Sequence, residues 1–134
     1  MKKIELTQNQ FTMVDDEDFE RINQFKWFAH KSPTYQGEKY IACRTKRIGK
    51  RNIIIFLYHF ILGISGKIMI DHKNRNPLDN QKSNLRICNK QQNAANSDKR
   101  INNKSGYKGV SIDKRRNKYR ATIKYNGRQK WLGY

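Results

Sequence analysis

Asp71 and His72 stand side by side, directly after an apolar run, in "IMIDHKNRNPLDNQKSNLR", a stretch otherwise crowded with Lys, Arg and Asn. A carboxylate can hold a hard divalent cation, and imidazole is the one side chain whose ordinary pKa lies near neutrality. Together they suit a site that binds a metal and moves a proton. Asn84 follows His72 by twelve positions, and Asn93 comes nine further on. At the head of a second strand, the Asn84 amide can hydrogen-bond the imidazole or a nearby backbone group and so fix the ring. In the opening turns of a helix, the Asn93 carbonyl oxygen can face Asp71 as a second oxygen ligand. Phosphodiester hydrolysis needs such an inventory: a hard cation, a base for water, and donors for the developing charge.

Each residue also has a plainer reading. Asp and Asn are common in turns that close strands, and neighbours on a regular strand point to opposite faces. For Asp71 and His72 to serve one site, the strand must bend or end at Asp71. Asn96, one helical turn beyond Asn93, reads as structural. His59 lies in an apolar run and reads as a hydrogen-bonded core histidine. Arg86 shares a strand face with Asn84 and suits either a phosphate contact or a solvated surface.

The charge identifies the partner class. Twenty-nine Lys and Arg against eleven Asp and Glu give +18. The distribution is uneven: residues 1–30 hold four basic and six acidic residues, and residues 99–134 hold twelve basic residues and one acid. A polyanion is the expected partner, with nucleic acid ahead of a membrane surface. "IIIFLYHFILGI" is too short to span a bilayer, and "MKKIELTQ" lacks the apolar run of a secretory leader. Two cysteines, Cys43 and Cys88, make neither a disulfide framework nor a zinc site. A reducing cytoplasm is the expected compartment.

These side chains need elements to position them. "KKIELTQNQFTMV" alternates apolar and polar residues around a turn and reads as a β-hairpin. "DDEDFERINQF" carries acids in its first turn and reads as a short helix. Its acidic patch is expected to face away from a polyanion. "KWFAHK" and "KYIACRTKRI" read as strands around a "SPTYQGE" loop, and "IIIFLYHFILG" as a strand turning into a helix ended by Gly63. Strand "KIMIDH", a polar loop, strand "NLRIC" and a helix N-capped by Asn89 follow. "SDKRINNKS" reads as a linker. Three further strands, "YKGVSID", "YRATIKY" and "KWLGY", close the chain, with Asn126-Gly127 as a hairpin turn.

Asp71-His72, "SNLR" with Asn84 and "QQNAAN" with Asn93 together resemble the HNH nuclease motif in its H-N-N form, over about His59 to Asn96. The resemblance implies a two-stranded hairpin packed on a helix around one metal, with Asp71 and Asn93 as ligands, His72 as general base and Asn84 orienting it. Many members of that family carry His where this chain has Asn93. An amide oxygen is the harder donor, so Mg²⁺ or Mn²⁺ is expected rather than Zn²⁺, with no structural zinc. "GYKGVS", "KYRATI" and "KWLGY" resemble the strands of an APETALA-type DNA-binding domain as found in mobile-element nucleases. That likeness implies DNA contacts from the sheet's Arg, Lys and Trp side chains. The residues expected to touch DNA are Arg86, Lys108, Arg115, Arg116, Lys118, Arg120, Lys124, Arg128, Lys130 and Trp131. "VDDEDFERINQFKW" is similar to the leader of phage-type HNH proteins.

The expected architecture is therefore α+β: a β-rich unit over 1–58, an HNH ββα-metal core over 59–98, and a linker with a basic three-stranded sheet over 99–134. The expected function is a metal-dependent endonuclease acting on double-stranded DNA, a site-specific nicking or homing enzyme of phage or mobile-element origin. It would work in the host cytoplasm, as a monomer or homodimer, with no membrane partner. The rival reading is a sequence-specific DNA-binding protein without catalysis.

Overall fold

Local sequence patterns account for most elements of the computed structural model, which describes residues 1–34, 37–99 and 102–134. The fold is α+β, in two units, Met1–Ser97 and Asp98–Tyr134.

In the first unit, β1 (Lys2–Glu5) and β2 (Phe11–Val14) form an antiparallel hairpin. Their alternation turns Ile4, Thr12 and Val14 inward, and all three are buried. Helix α1 (Asp16–Asn23) has Asp16, Glu17 and Asp18 in its first turn and Arg21 in its last, which complements the helix dipole. Strands β3 (Phe28–Thr34), β4 (Gly37–Ile48) and β5 (Arg51–Phe56) form an antiparallel sheet in that order. Most of the expected "SPTYQGE" loop is therefore strand, while Tyr35 and Gln36 lie outside the described residues.

The apolar run turns from β5 into α2 (Leu57–Leu62), which buries Leu57 and Ile61. Gly63 ends this helix in the left-handed conformation at φ 63°, where a side chain would be strained. Strands β6 (Ile70–His72) and β7 (Leu85–Ile87) pair antiparallel, and α3 (Lys90–Asn96) follows. Asn89 caps α3 as expected. Its side chain accepts from the Gln92 N–H at 2.8 Å, while the Gln92 side chain accepts from the Asn89 N–H at 2.9 Å.

One core joins these elements. Ile4, Val14, Ile22, Trp27, Ala42, Leu57, Ile61 and Leu85 pack in a single cluster, so residues expected to form separate pieces on either side of position 58 share it. Each large apolar side chain buried there contributes about 1.5–3 kcal/mol. The second unit holds β8 (Val110–Asp113), β9 (Lys118–Tyr125) and β10 (Arg128–Gly133), an antiparallel sheet in the order β10-β9-β8. The β9–β10 turn sets Asn126 at φ 47° and Gly127 at φ 76°, as a two-residue hairpin turn requires. None of its described residues is buried. The expected "SDKRINNKS" linker straddles the boundary, and its Arg100 and Ile101 lie outside the described residues.

Candidate active site

Hairpin β6–β7 sets Asp71 opposite Arg86 and His72 opposite Leu85. Both Asp71 and His72 are buried, at 7% and 8% exposure. The strand runs one residue past Asp71 before it ends. A tight turn follows, in which the Arg75 N–H donates to the His72 carbonyl at 2.9 Å. The two side chains accordingly meet different neighbours. Asp71 Oδ2 accepts from Arg86 Nη2 at 2.6 Å and Nε at 3.0 Å, and Oδ1 accepts from Asn96 Nδ2 at 2.9 Å. His72 Nε2 lies 3.2 Å from Asn80 Oδ1, and its ring meets the Tyr58 ring edge-to-face at 5.6 Å. Burial lowers the His72 pKa below 6.5, against the opposing pull of Asn80, Asp71 and Asp79. Burial thereby favours the neutral imidazole.

Asn84 bonds the 74–79 loop rather than the imidazole. Its Nδ2 donates to the Asp79 carbonyl at 2.7 Å and to Asn74 Oδ1 at 3.0 Å, and its Oδ1 accepts from the Asn74 N–H at 3.0 Å. Asn74 in turn donates to Asp79 Oδ2 at 2.6 Å. Asn84 thus braces the 74–79 loop that leads to Asn80, the residue on the ring.

Asn93 is exposed on α3, and its side chain makes no hydrogen bond among the described residues. Asn96 makes the link to β6, since its Nδ2 also donates to the His72 carbonyl at 2.8 Å. No group of three or more His, Cys, Asp or Glu among the described residues could hold a metal ion. The donor set does fit a hard cation that completes its shell with water and phosphate. A carboxylate offers about four lone-pair positions, and Arg86 and Asn96 occupy three on Asp71, which leaves one at Oδ1. Asn93 carries an amide oxygen, a hard donor of the same type. Cys43 and Cys88 are free and buried, and burial raises both thiol pKa values.

The residues expected to contact DNA divide over the C-terminal sheet. Directly opposed residues share a face. The pairs Ser111–Arg120, Asp113–Lys118, Thr122–Trp131 and Lys124–Gln129 therefore gather Lys118, Arg120, Lys124 and Trp131 on one side. Arg128 and Lys130 oppose Tyr125 and Ile123 and lie on the other face, with Tyr119 and Ala121. Lys108 precedes β8, Arg115 and Arg116 lie in the β8–β9 turn, and Arg86 is on β7. All ten are exposed. Of the polar residues that hold the site, Asn96 reads as structural from its place one helical turn beyond Asn93, whereas nothing in the sequence singles out Asn80 or joins it to Thr12.

The segment that carries this buried acid–imidazole pair and its capped helix is also the one that comparison with known proteins connects to nucleases. The family model described as HNH endonuclease matches residues 53–95. The chain is also 30% identical, over 119 residues, to a protein of Acanthamoeba polyphaga mimivirus named Uncharacterized HNH endonuclease L560. That match covers 87% of this chain and 57% of the viral protein, so the chain spans little more than half its relative's length. No solved structure matches. These likenesses support a nuclease of the general HNH kind. No helix among the described residues is long and apolar enough to cross a membrane.

Proposed function

We propose that the chain is a metal-dependent endonuclease that hydrolyses a phosphodiester bond of double-stranded DNA, in the manner of a site-specific nicking or homing enzyme. The observation that carries this reading is a buried His72 beside Asp71, within the segment that matches HNH endonucleases. His72 takes a proton from water, and the resulting hydroxide attacks phosphorus in line with the leaving 3′-oxygen. Asp71 and Asn93 would hold one Mg²⁺ or Mn²⁺. Bound there, that ion supplies charge stabilisation to the pentacoordinate phosphate and the leaving oxygen. Asn84 keeps the 74–79 loop in place. Lys118, Arg120, Lys124 and Trp131 hold the duplex on the basic face of the second unit. One such centre cuts one strand, so a monomer nicks and two copies are needed for a double-strand break. A phage or mobile-element origin, with action in the host cytoplasm, fits this chemistry.

One observation favours a DNA-binding protein without catalysis: Arg86 and Asn96 already engage the Asp71 carboxylate. Supercoiled plasmid separates the two readings. The chain is incubated with several target sequences in Mg²⁺ and in Mn²⁺ over a range of salt, beside EDTA and His72→Ala controls. Relaxed circles that need both metal and His72 are expected. Plasmid bound but left supercoiled under every condition sinks the catalytic reading in favour of simple binding.

A further inference from the structure

We propose that Asn80, itself held by Thr12 of the N-terminal hairpin, is a positioning residue that fixes His72 as the Nε2–H tautomer and so presents Nδ1 as the proton-accepting nitrogen. The catalytic part of this inference rests on His72 acting as the base.

Groups that can only accept hydrogen bonds determine the assignment. The Leu78 carbonyl lies 2.8 Å from Thr12 Oγ1, so the threonine hydroxyl must donate to it. That commits the single hydroxyl hydrogen, and Oγ1 then faces Asn80 Nδ2, 2.8 Å away, as an acceptor. The same Nδ2 lies 3.3 Å from the Pro77 carbonyl, again an obligate acceptor. Turning the amide over would set its oxygen against both of these oxygens. Oδ1 must therefore be the atom facing His72 Nε2 at 3.2 Å. An amide oxygen carries no proton, so Nε2 does. A neutral imidazole has one N–H, and the free lone pair is left on Nδ1.

Nδ1 is placed to use that lone pair. It has no hydrogen-bond partner among the described residues, and it is not one of the side-chain atoms sealed from solvent without one. Asn80 and Thr12 are 1% and 0% exposed, so solvent cannot stand in for either. The backbone of β2 grips the same segment on both sides. Met13 N–H donates to the Leu78 carbonyl at 2.8 Å, and Asn80 N–H donates to the Met13 carbonyl at 2.8 Å. The N-terminal hairpin thereby acts on the site through the tautomer and orientation of one ring.

The test begins with the unaltered chain. Its three histidines can be labelled with ¹⁵N, and long-range proton–nitrogen correlations distinguish a protonated from an unprotonated ring nitrogen. His72 is expected to show a protonated Nε2 and a free Nδ1. Asn80→Leu and Thr12→Val should mix the tautomers and slow single-turnover nicking by about ten-fold or more, with KM little changed. Thr12→Ser, which keeps the hydroxyl, should restore both readouts. A protonated Nδ1 in the unaltered chain overturns the proposal, even if every variant fails to fold. So does a Thr12→Val chain with unchanged tautomer and rate. A protonated Nε2 in a chain that never nicks DNA removes the catalytic reading and the positioning role with it, while the hydrogen-bond assignment stands.

Discussion

Arg86 closes on a single oxygen of Asp71, with Nη2 at 2.6 Å and Nε at 3.0 Å from Oδ2, because the β6–β7 register sets the two residues directly opposite each other. Under the proposed function that grip competes with a cation for the carboxylate. Arg86→Ala should therefore strengthen Mn²⁺ binding several-fold in the absence of DNA, as titration calorimetry would register. It should also weaken the hairpin by about 1–3 kcal/mol, because a buried acid loses its donor. Weaker Mn²⁺ binding in the variant would mean that Arg86 organises the acid for the metal instead of competing with it.

Asn96 ties α3 to β6 through Asp71 Oδ1 and the His72 carbonyl. Asn96→Ala removes both bonds and leaves a mostly buried carbonyl and carboxylate short of a donor. A stability loss of about 1–3 kcal/mol is expected. Amide exchange over residues 90–96 should accelerate beyond what the global loss explains, because α3 buries no residue of its own. Exchange that rises equally throughout the unit would deny Asn96 this local role.

Asp18 links stability to pH. Burial raises its carboxyl pKa, but hydrogen bonds and charge from Arg21 and Lys82 outweigh burial, and the net shift is below 3.8. The folded state thus holds the anion more tightly than the unfolded chain does. The resulting stability is fully present above the unfolded value and is lost as pH falls from about 3.8 through the folded value. Asp18→Asn should be less stable at pH 7 and show a shallower decline between pH 4 and the acid limb, measured by urea denaturation. Parallel pH profiles for the two proteins would contradict this account.

The two faces of the C-terminal sheet make separable predictions. Arg120 lies on the side that carries Lys118, Lys124 and Trp131, whereas Arg128 lies with Tyr119, Ala121 and Ile123. If the basic face holds the duplex, Arg120→Ala lowers the slope of log K against log salt by about one. Arg128→Ala leaves that slope nearly unchanged. Equal losses from both would mean a mobile polycation rather than a docked sheet.

Local signals in the sequence proved reliable where the structure needs only local physics. The acids of α1, the Asn89 cap, Gly63 at the end of α2 and the Asn126-Gly127 turn all act within a few residues of themselves. The order strand, loop, strand, helix around Asp71 and His72 was legible for the same reason. The distribution of charge likewise needs no coordinates.

Tertiary structure decided which polar groups meet. Thr12 and Asn80 are 68 positions apart, and no periodicity joins two small polar residues at that distance. The acids of residues 15–18, which read as the start of a helix facing away from a polyanion, also hold Lys82: Asp15 accepts the Lys82 N–H at 2.8 Å, and the Lys82 ammonium reaches Glu17 at 2.6 Å and Asp18 at 3.0 Å. Ile4, Trp27, Leu57 and Leu85, which lie on both sides of the boundary expected at residue 58, share one core. Apolar periodicity shows which face of an element is buried, but not which distant element covers it. A buried polar group must find a partner wherever the packed chain provides one. The sequence alone therefore determined the types of the chemical groups and the elements that carry them. The packed chain alone decided that Asn80 meets the imidazole, that Asn84 holds the loop, and that Arg86 and Asn96 share the acid.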